Sequence, residues 1–382
     1  MNQPLNSKPT LDTLDRIDDE FEYETDEDGN ADSILKPYDP TQIRVDPKSF
    51  SLRNVLDMID DKDLDLAPDF QRMRVWSPEQ KSRLIESILL RIPLPAFYFS
   101  SDTDGYMQVV DGVQRLSTIH EFVRKKSFSL QHLEYLDREL GGNSFADLEG
   151  TIWAKRINST QIIVNVIDPQ TPTQVKFDIF KRINTGGTPL NSQEIRHCMS
   201  GMRSRELLKR LTSLKSFGVA TGGRLAGNIR MADRELALRW VSFTLLENLD
   251  EYGGDRIATL DDLLNATAEL IDSDHSIDIE GLIERFDHAM IVADKLFGRH
   301  AFRKWNENDE HRYPINRALF EAWSVPLGNI ALDIADRKKD IQRAFRSLCS
   351  NDPFFINCIS AGTGNPVKVR YRFVKIQEIL NI

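Results

Sequence analysis

The sequence predicts an α+β fold for the first part of the chain and an all-α fold for the rest. Short apolar segments at residues 97–99, 107–110 and 161–167 have the composition of buried strands and alternate with helical patterns. From about residue 195 onward, the apolar residues recur at helical spacing only. Strands mixed with helices, followed by helices alone, are typical of an α+β domain joined to a helical domain.

Composition narrows the class of protein. The chain of 382 residues is long enough for two domains, and its net charge of −10 argues against a uniformly basic nucleic-acid coat, although a local basic groove is compatible with it. The three cysteines have no zinc-ligand spacing. There is neither an apolar run that could span a bilayer nor a secretory signal after Met1, so we expect a cytoplasmic protein without a membrane partner.

We expect three segments along the chain. Residues 1–40 are predicted to be a disordered tail, because ten acidic side chains and only one basic side chain, Arg16, lie between residues 12 and 28. An alternative is that this tail covers a basic groove until nucleic acid displaces it. Residues 45–200 form the predicted α+β domain, and residues 201–382 form the predicted α-helical domain.

Apolar spacing and capping residues define the elements before residue 100. Residues 49–60 are a predicted amphipathic helix, and residues 64–66 alternate as a strand does. Ser77-Pro78-Glu79-Gln80 begins the next helix, because it combines a serine cap, a proline at the first helical position and a capping-box glutamine. Two prolines then end this helix before the strand at 97–99.

The stretch around which the chain is organised is a strand followed at once by a turn and a helix. Residues 107–110 form the strand, Asp111-Gly112 is a turn signal, and helical spacing follows. Backbone N–H groups at a helix N-terminus favour anions, and Arg115 offers a planar fork of donors that fits phosphate. Asp111 suits a metal ion or a ribose hydroxyl. The alternative is an Asp111–Arg115 ion pair that only ties the strand to the helix.

A second polar segment lies between two predicted helices. Residues 128–150 are a predicted insertion, after which the strand at 161–167 leads into a helix that ends near Asn184. The glycine-containing loop at 185–190 follows, and Asn191 and Glu194 have capping-box spacing. Such a loop can bring backbone N–H groups close to a ligand. The alternative is an ordinary connector between helices.

The last part of the chain combines helical patterns with late basic residues. Helices are predicted at 195–213, 229–248, 259–272, 278–297, 315–330 and 333–349. The basic clusters are Lys338, Lys339, Arg343 and Arg346, then Lys368, Arg370, Arg372 and Lys375 beside Tyr371 and Phe373. Arginine alternating with aromatic residues suits contact with a nucleic-acid backbone. The alternative is a solvated strand or helix face.

Four sequence pieces in a fixed order resemble a known domain. They are Pro68-Asp69-Phe70-Gln71-Arg72 with Trp76, residues 84–89 with Pro93-Leu94-Pro95, residues 111–118, and residues 180–190 with Glu194. Together these pieces resemble the N-terminal domain of the GmrSD restriction endonucleases, which belongs to the ParB/sulfiredoxin-like superfamily. The resemblance covers residues 45–200. It implies a ParB/sulfiredoxin-like α+β fold in a system that acts on foreign or modified DNA.

The resemblance also implies a nucleotide site. In such domains an Asp-Gly-Gln-Gln-Arg segment is linked to the binding and hydrolysis of nucleoside triphosphates. Asp111, Gly112, Gln114 and Arg115 match this segment, and Val113 stands where the family has its first glutamine.

Two other segments of the family pattern are expected to contact the same nucleotide. The Phe-Gln-Arg segment maps onto Gln71 and Arg72, and the Asn-Thr-Gly segment maps onto Asn184, Thr185 and Gly186. The resemblance therefore implies that three polar bends, separated in sequence, converge on one triphosphate.

The chemistry of phosphoryl transfer agrees with these assignments, because it requires charge neutralisation and positioning. Arg72 and Arg115 would supply positive charge, and Gln114 would orient a phosphate or an attacking water. Asp111 would hold Mg²⁺, which prefers carboxylates and phosphate oxygens. We expect a nucleotide-binding and nucleoside triphosphate-hydrolysing, DNA-associated module of a restriction or antiphage defence system, with Asp111, Gln114 and Arg115 as catalytic residues. The alternatives are a non-catalytic protein that binds DNA or a partner, and a stand-alone nicking nuclease.

Full-length relatives carry a C-terminal nuclease domain of the His-Asn-His type. Glu310-His311-Arg312-Tyr313-Pro314 is superficially similar to part of one, but no histidine follows His311, and residues 314–323 have helical spacing. We therefore expect a relative without a nuclease domain that works with a partner nuclease. The sequence leaves the oligomeric state open, with a homo-oligomer among the alternatives.

Overall fold

The computed structural model describes residues 43–66, 76–101, 105–183, 191–223, 225, 230–254, 257–330 and 332–382. The chain divides into two compact units, an N-terminal unit of Lys36–Met199 and a C-terminal unit that contains Ser200–Ile382. Within the described residues, none of the helices has the length and apolar composition that crossing a membrane requires.

The described part of the N-terminal unit contains a five-stranded mixed sheet. Its strands are β1 (Val45–Ser51), β2 (Leu64–Asp65), β3 (Phe97–Ser101), β4 (Met107–Asp111) and β5 (Gln161–Ile167). They lie in the order β1-β5-β3-β4-β2. β1 and β5 are antiparallel, as are β3 and β4, whereas β3 is parallel to β5 and β2 is parallel to β4. The α+β class predicted from the sequence is therefore confirmed.

Helices cover both faces of this sheet. They are α1 (Leu52–Asp60), α2 (Pro78–Leu89), α3 (Val113–Val123), α4 (Asp137–Leu140), α5 (Phe145–Leu148), α6 (Ile152–Ser159), α7 (Thr173–Ile183) and α8 (Ser192–Met199). The capping box predicted at the start of α2 is present, because Ser77 N–H donates to Gln80 Oε1 at 2.9 Å and Gln80 N–H donates to Ser77 Oγ at 3.3 Å. The predicted insertion at 128–150 contains the short helices α4 and α5.

The edge strand β1 was not predicted. It pairs with β5 along its whole length, from Val45 opposite Ile167 to Ser51 opposite Gln161. Its centre is exposed and contains Pro47, so it lacks the apolar alternation that signals a half-buried strand. The helix predicted from residue 49 therefore begins at Leu52, and the Ser51 hydroxyl caps it by accepting a hydrogen bond from Asn54 N–H at 3.2 Å.

The two faces of the sheet differ. Alternation along β4 places Val109 on one face and Val110 on the other. The face with Val109, called here the apolar face, packs against α1, α2, α3 and α6 in the main core of the unit. The face with Val110, called here the second face, packs against α7 and α8 in a smaller cluster with Phe177, Phe180 and Ile195.

The regular elements described in the C-terminal unit are helices, as predicted. They are α9 (Met202–Thr212), α10 (Lys215–Thr221), α11 (Ala232–Leu245), α12 (Leu260–Ser273), α13 (Ile279–Phe297), α14 (Arg317–Leu327), α15 (Lys338–Asn351), α16 (Pro353–Cys358) and α17 (Pro366–Leu380). Short 3-10 segments lie at Leu249–Glu251, Gly298–His300 and Leu332–Arg337.

The single helix predicted at 195–213 is wrong. The chain forms α8 and then α9, with a break between Met199 and Met202. Gly201 is the N-cap of α9, and the carboxylate of Asp272 accepts hydrogen bonds from Gly201 N–H at 2.6 Å and Ser204 N–H at 2.8 Å. This cap begins a new helix where the apolar spacing alone suggested continuity.

Candidate functional site

The predicted corner between β4 and α3 is present. The β3–β4 register shifts between Tyr98 and Phe99, so that Val110 is an extra residue and Asp111 lies opposite Tyr98. Gly112 is the N-cap of α3, has a φ of 95°, and provides no side-chain cap. Helix α3 thus begins directly after β4, next to the Asp111 carboxylate. Because its N-cap is a glycine, no cap side chain occupies the first N–H groups of the helix. This geometry suits an anionic ligand.

Glycine is required at position 112 for two separate reasons. The positive φ lies in the left-handed region, which residues with a Cβ rarely adopt. A Cβ built at Gly112 would also lie 2.2 Å from Cδ1 of Phe97, a core residue of β3. The Phe97 ring therefore fixes the path of the backbone at the corner.

The Arg115 guanidinium is held by four groups of the N-terminal unit. Nη2 donates to Asp111 Oδ2 at 2.8 Å and to the Ala96 carbonyl at 3.3 Å, and Nη1 donates to the Pro95 carbonyl at 2.5 Å. The guanidinium carbon also lies 4.2 Å from the centre of the Phe97 ring. Arg115 therefore ties α3 to the chain segment that enters β3. This is the structural role that the sequence offered as the alternative to phosphate binding.

Burial and charge act in opposite directions on Arg115. Burial lowers its pKa below the ordinary value, and the neighbouring Asp111 carboxylate opposes that shift. The side chain of Arg115 is 14% exposed, whereas that of Asp111 is 32% exposed. A ligand or cation that approaches the corner from solvent would therefore meet Asp111 more readily than the arginine.

The two residues between Gly112 and Arg115 differ in their surroundings. Val113 is buried in the core of the apolar face, so the side chain at the position where this chain departs from the family pattern packs internally. Gln114 is half-buried on the first turn of α3. Of the predicted catalytic residues, Asp111 and Arg115 are thus in direct contact, with Gln114 on the same helical turn.

The other predicted nucleotide contacts lie outside the described residues. This applies to Gln71 and Arg72 in one segment and to Asn184, Thr185 and Gly186 in the other. The convergence of the three bends on one triphosphate therefore stays a prediction. The capping box after the glycine loop is confirmed, because Asn191 N–H donates to Glu194 Oε2 at 2.7 Å and Glu194 N–H donates to Asn191 Oδ1 at 2.8 Å.

Helix α8, which follows the glycine loop, buries an unusual number of polar side chains. Gln193, Glu194, Arg196 and His197 are all buried, although the helix has only eight residues. Nη1 of Arg196 donates to Gln193 Oε1 at 2.6 Å, and its guanidinium lies 5.7 Å from the Phe177 ring centre on α7. The burial of Gln193 was not predicted, because nothing in the local sequence distinguishes a buried glutamine from a solvated one.

Asp111 is the one predicted metal ligand. Nowhere in the described part of the chain do three or more His, Cys, Asp or Glu side chains form a group that could hold a metal ion. Mg²⁺ that accompanies a triphosphate needs only one or two protein carboxylates, because phosphate oxygens and water complete its octahedron. The partly exposed Asp111 at a helix N-terminus fits that requirement, and the charge supplied by the metal would offset that of the phosphates.

The late basic residues lie on helices rather than on a strand. On α17, Arg372 is fully buried and donates to Glu321 and to the Thr363 carbonyl, so its suggested contact with nucleic acid is wrong. Lys375 pairs with Glu378 at 2.8 Å. On α15, Arg343 remains highly exposed beside Asp340, whereas Arg346 donates to the Asn306 carbonyl at 3.1 Å.

The segment that superficially suggested a nuclease is engaged in structural contacts. The Glu310 carboxylate pairs with Arg346 at 2.9 Å, and the His311 ring packs edge-on against Tyr313 with 4.9 Å between the ring centres. Residues Arg317–Leu327 form α14, in agreement with the helical spacing seen in the sequence.

A comparison with protein families agrees with the sequence pieces that surround the corner. Residues 52–199 match the family model described as GmrSD restriction endonuclease, N-terminal domain. A search of curated proteins gives no match to the chain. The family match associates the protein with restriction systems. Residues 52–199, which contain the β4–α3 corner and helix α8, are therefore a GmrSD-type N-terminal domain.

Proposed function

We propose that the N-terminal unit binds a nucleoside triphosphate with Mg²⁺ and hydrolyses it, as a DNA-associated module of a restriction or antiphage defence system. The observation that carries this proposal is the corner at Asp111-Gly112. It combines a glycine-capped helix N-terminus with a partly exposed carboxylate at the end of a sheet strand. Backbone N–H groups there attract phosphate, and a carboxylate beside them attracts the accompanying cation.

The roles of the residues follow from their positions. The first turn of α3 would hold phosphate oxygens, and Asp111 would hold the metal. Gln114, on that same turn, would orient an attacking water. Arg115 would act mainly by fixing the corner through Asp111 and the carbonyls of Pro95 and Ala96.

Two further segments of the family pattern would complete the proposed site. Gln71 and Arg72 in one segment, and Asn184, Thr185 and Gly186 in the other, would contact the nucleotide. We also assign the mixed sheet to the ParB/sulfiredoxin-like superfamily, with DNA and a partner nuclease as its macromolecular partners in the cytoplasm. The late basic helices α15 and α17, with exposed Arg343 among their cations, are the proposed DNA contacts.

Titration with each of GTP, CTP, UTP and ATP in the presence of Mg²⁺ tests this function. The proposal predicts saturable binding of at least one nucleotide and slow release of inorganic phosphate. The Mg²⁺ requirement is tested by repeating the titration with a chelator, which is expected to weaken binding. Absence of binding for all four nucleotides would contradict the proposal.

A second candidate function is a non-catalytic module that binds DNA or a protein partner. The internal contacts of Arg115 favour it, because they give the Asp111–Arg115 pair a purely structural purpose. On this alternative, DNA binding is independent of nucleotide and phosphate release is absent. Electrophoretic mobility shifts with and without nucleotide distinguish the two functions.

A further inference from the structure

Helices α9 and α13 form an open groove on the surface of the C-terminal unit. The groove has a volume of about 400 Å³ and is lined by Met202, Arg203, Glu206, Leu207, Arg210 and Ile279. Its floor is apolar, because Leu207 belongs to the core of the unit and Ile279 packs against that core. Met202, the first residue of α9, is nevertheless 81% exposed. Exposed methionines are common at binding surfaces, because the flexible thioether adapts to the shape of a ligand.

The helix that supplies most of this groove is basic. α9 carries Arg203, Arg205, Lys209 and Arg210, and its one acidic residue is Glu206. Arg203 donates to backbone carbonyls, which do not neutralise its charge. Arg210 forms two hydrogen bonds of 2.6 Å with Glu280 of α13, but the pair is exposed, so another carboxylate can replace Glu280 at little cost. The groove therefore favours an apolar ligand with acidic flanks.

The acidic N-terminal segment of this chain has the matching pattern. Leu14, Ile17 and Phe21 recur at positions i, i+3 and i+7, the spacing of an amphipathic helix that places its apolar side chains in a groove. The acidic residues around them are Asp12, Asp15, Asp18, Asp19, Glu20 and Glu22. An acidic segment of this kind buries too little apolar surface to fold alone and folds when it binds.

The length of the chain allows the segment to reach the groove. Residues 22–42 follow the apolar positions, and when extended they span up to ~70 Å, about twice the ~30 Å diameter of a small domain. Such a tether also raises the effective concentration of the segment to about the millimolar range, so a few contacts are sufficient.

We propose that residues 11–22 dock as an amphipathic helix in the groove between α9 and α13 of the same chain. Leu14, Ile17 and Phe21 contact Met202 and Leu207, and the acidic flanks face the basic residues of α9. This contact does not depend on the proposed nucleotide site. It gives the acidic tail a binding site within its own chain and closes the groove to other partners while the tail occupies it.

Cross-linking in the full chain tests this contact directly. The native cysteines are buried, so a short bismaleimide reacts preferentially with cysteines introduced at the surface. One variant combines Glu20→Cys in the tail with Glu206→Cys in the groove. The control combines Glu20→Cys with Glu378→Cys, at an exposed position of α17. We expect the groove pair to give about fivefold more intramolecular cross-link than the control pair, measured by mass spectrometry.

Further substitutions in the groove pair test how the segment is held. Leu14→Asp with Phe21→Asp removes two apolar anchors, and Met202→Asp places a charge in the groove. Met202 is exposed at the first position of α9, where an aspartate suits the helix, so this variant is expected to fold. Each change is expected to lower the yield to that of the control pair. Leu5→Asp with Leu35→Asp adds the same charge outside the segment and should leave the yield unchanged.

Three results would overturn the proposal. Equal yields for the groove pair and the control pair would show that the tail has no preferred site. A groove cross-link that survives Leu14→Asp with Phe21→Asp would show proximity without apolar docking. Cross-links formed only between two chains would assign the groove to a second copy. The proposed nucleotide function would stand in all three cases, because none of these cross-links involves its residues.

Discussion

The guanidinium of Arg115 donates to the carboxylate of Asp111 at 2.8 Å, across one turn at the start of α3. Asp111 is the last residue of β4, so this ion pair joins the strand to the helix that follows it. The same guanidinium also bonds to two carbonyls before β3. Arg115 therefore connects α3 to the end of β4 and to the segment that precedes β3, around the proposed phosphate site.

Replacement of Arg115 is expected to affect the fold as well as any ligand. Arg115→Ala removes the hydrogen bonds to the Pro95 and Ala96 carbonyls, the stacking on Phe97 and the partner of Asp111. We predict a loss of about 2–4 kcal/mol in the free energy of unfolding, measured with urea. Arg115→Lys keeps the positive charge but loses the planar guanidinium, so its stability is expected to lie between those of wild type and Arg115→Ala.

Arg124→Ala is the matched control for this change. Arg124 lies just after α3 and pairs with Asp60 at 2.8 Å, but its side chain is far more exposed than that of Arg115. Its removal is expected to change stability much less. Equal stability of the two alanine variants would show that Arg115 does not organise the corner.

Gly112→Ala is predicted to be strongly destabilising. The φ of 95° is strained for any residue with a Cβ, and the added methyl group would overlap Phe97. Together these effects are expected to cost about 2–5 kcal/mol, read from the midpoint of urea unfolding. Gly105→Ala separates the backbone strain from the steric overlap, because Gly105 has a φ of 90° but nothing lies within 4 Å of its added Cβ. If both variants lose the same stability, the close approach of Phe97 has no energetic importance.

Glu86 has a structural role at a position that belongs to the family pattern. Glu86 is 3% exposed, and its carboxylate accepts hydrogen bonds from the backbone N–H groups of Glu134, Tyr135 and Leu136, at 3.0, 2.7 and 2.9 Å. Burial acts to raise the pKa of Glu86, but these N–H groups together lower it below the ordinary value. The ionised carboxylate thus fastens the segment before α4 to α2.

This arrangement predicts a particular dependence of stability on pH. Because the folded-state pKa is lowered, the contribution of Glu86 is complete above the unfolded-state pKa of about 4.3 and is lost as the pH falls through the folded-state value. Glu86→Gln is expected to cost about 1–3 kcal/mol at neutral pH and to flatten the decline of stability in acid. Unfolding free energies between pH 7 and pH 3 measure both effects. Glu79→Gln, at an exposed site on the same helix, should retain the wild-type slope.

The C-terminal unit contains a buried charge network whose disruption is expected to be costly. Glu321 on α14 is fully buried between Arg372 and Arg239, with Arg239 Nη1 at 3.2 Å from its carboxylate. Glu321→Ala would leave two buried arginines without this partner, so we predict a loss of about 3–5 kcal/mol in unfolding free energy. The exposed pair of Arg210 and Glu280 is the control. A Glu321→Ala variant as stable as Glu280→Ala would contradict this account.

The sequence predicted the corner because its signals are local. Two β-branched residues end in Asp111-Gly112, and helical spacing begins within the next turn, so strand, turn and helix follow from adjacent residues. The capping boxes at Ser77 and Asn191 are local for the same reason. The expectation that this corner binds a nucleotide came from the family resemblance. Residue spacing alone did not distinguish a ligand site from a structural ion pair.

Features that depend on partners distant in the chain could not be predicted. The acceptors of Arg115 are backbone carbonyls about twenty residues earlier, and only the register of β3 against β4 brings them near. β1 is an edge strand whose polar, exposed centre hides its pairing with β5. The burial of Arg372 likewise depends on Glu321, which lies on another helix.

The central claim is that a triphosphate binds at the corner that Asp111 and Gly112 form, and one measurement tests it most directly. Calorimetric titration with Mg²⁺ and each of the four nucleoside triphosphates should be carried out on wild type, Asp111→Ala and Asp57→Ala. The last variant removes an exposed aspartate of α1 and serves as the control. The account predicts saturable binding by wild type and Asp57→Ala that is lost in a folded Asp111→Ala protein. Undiminished binding by Asp111→Ala, or no binding by wild type, would contradict it.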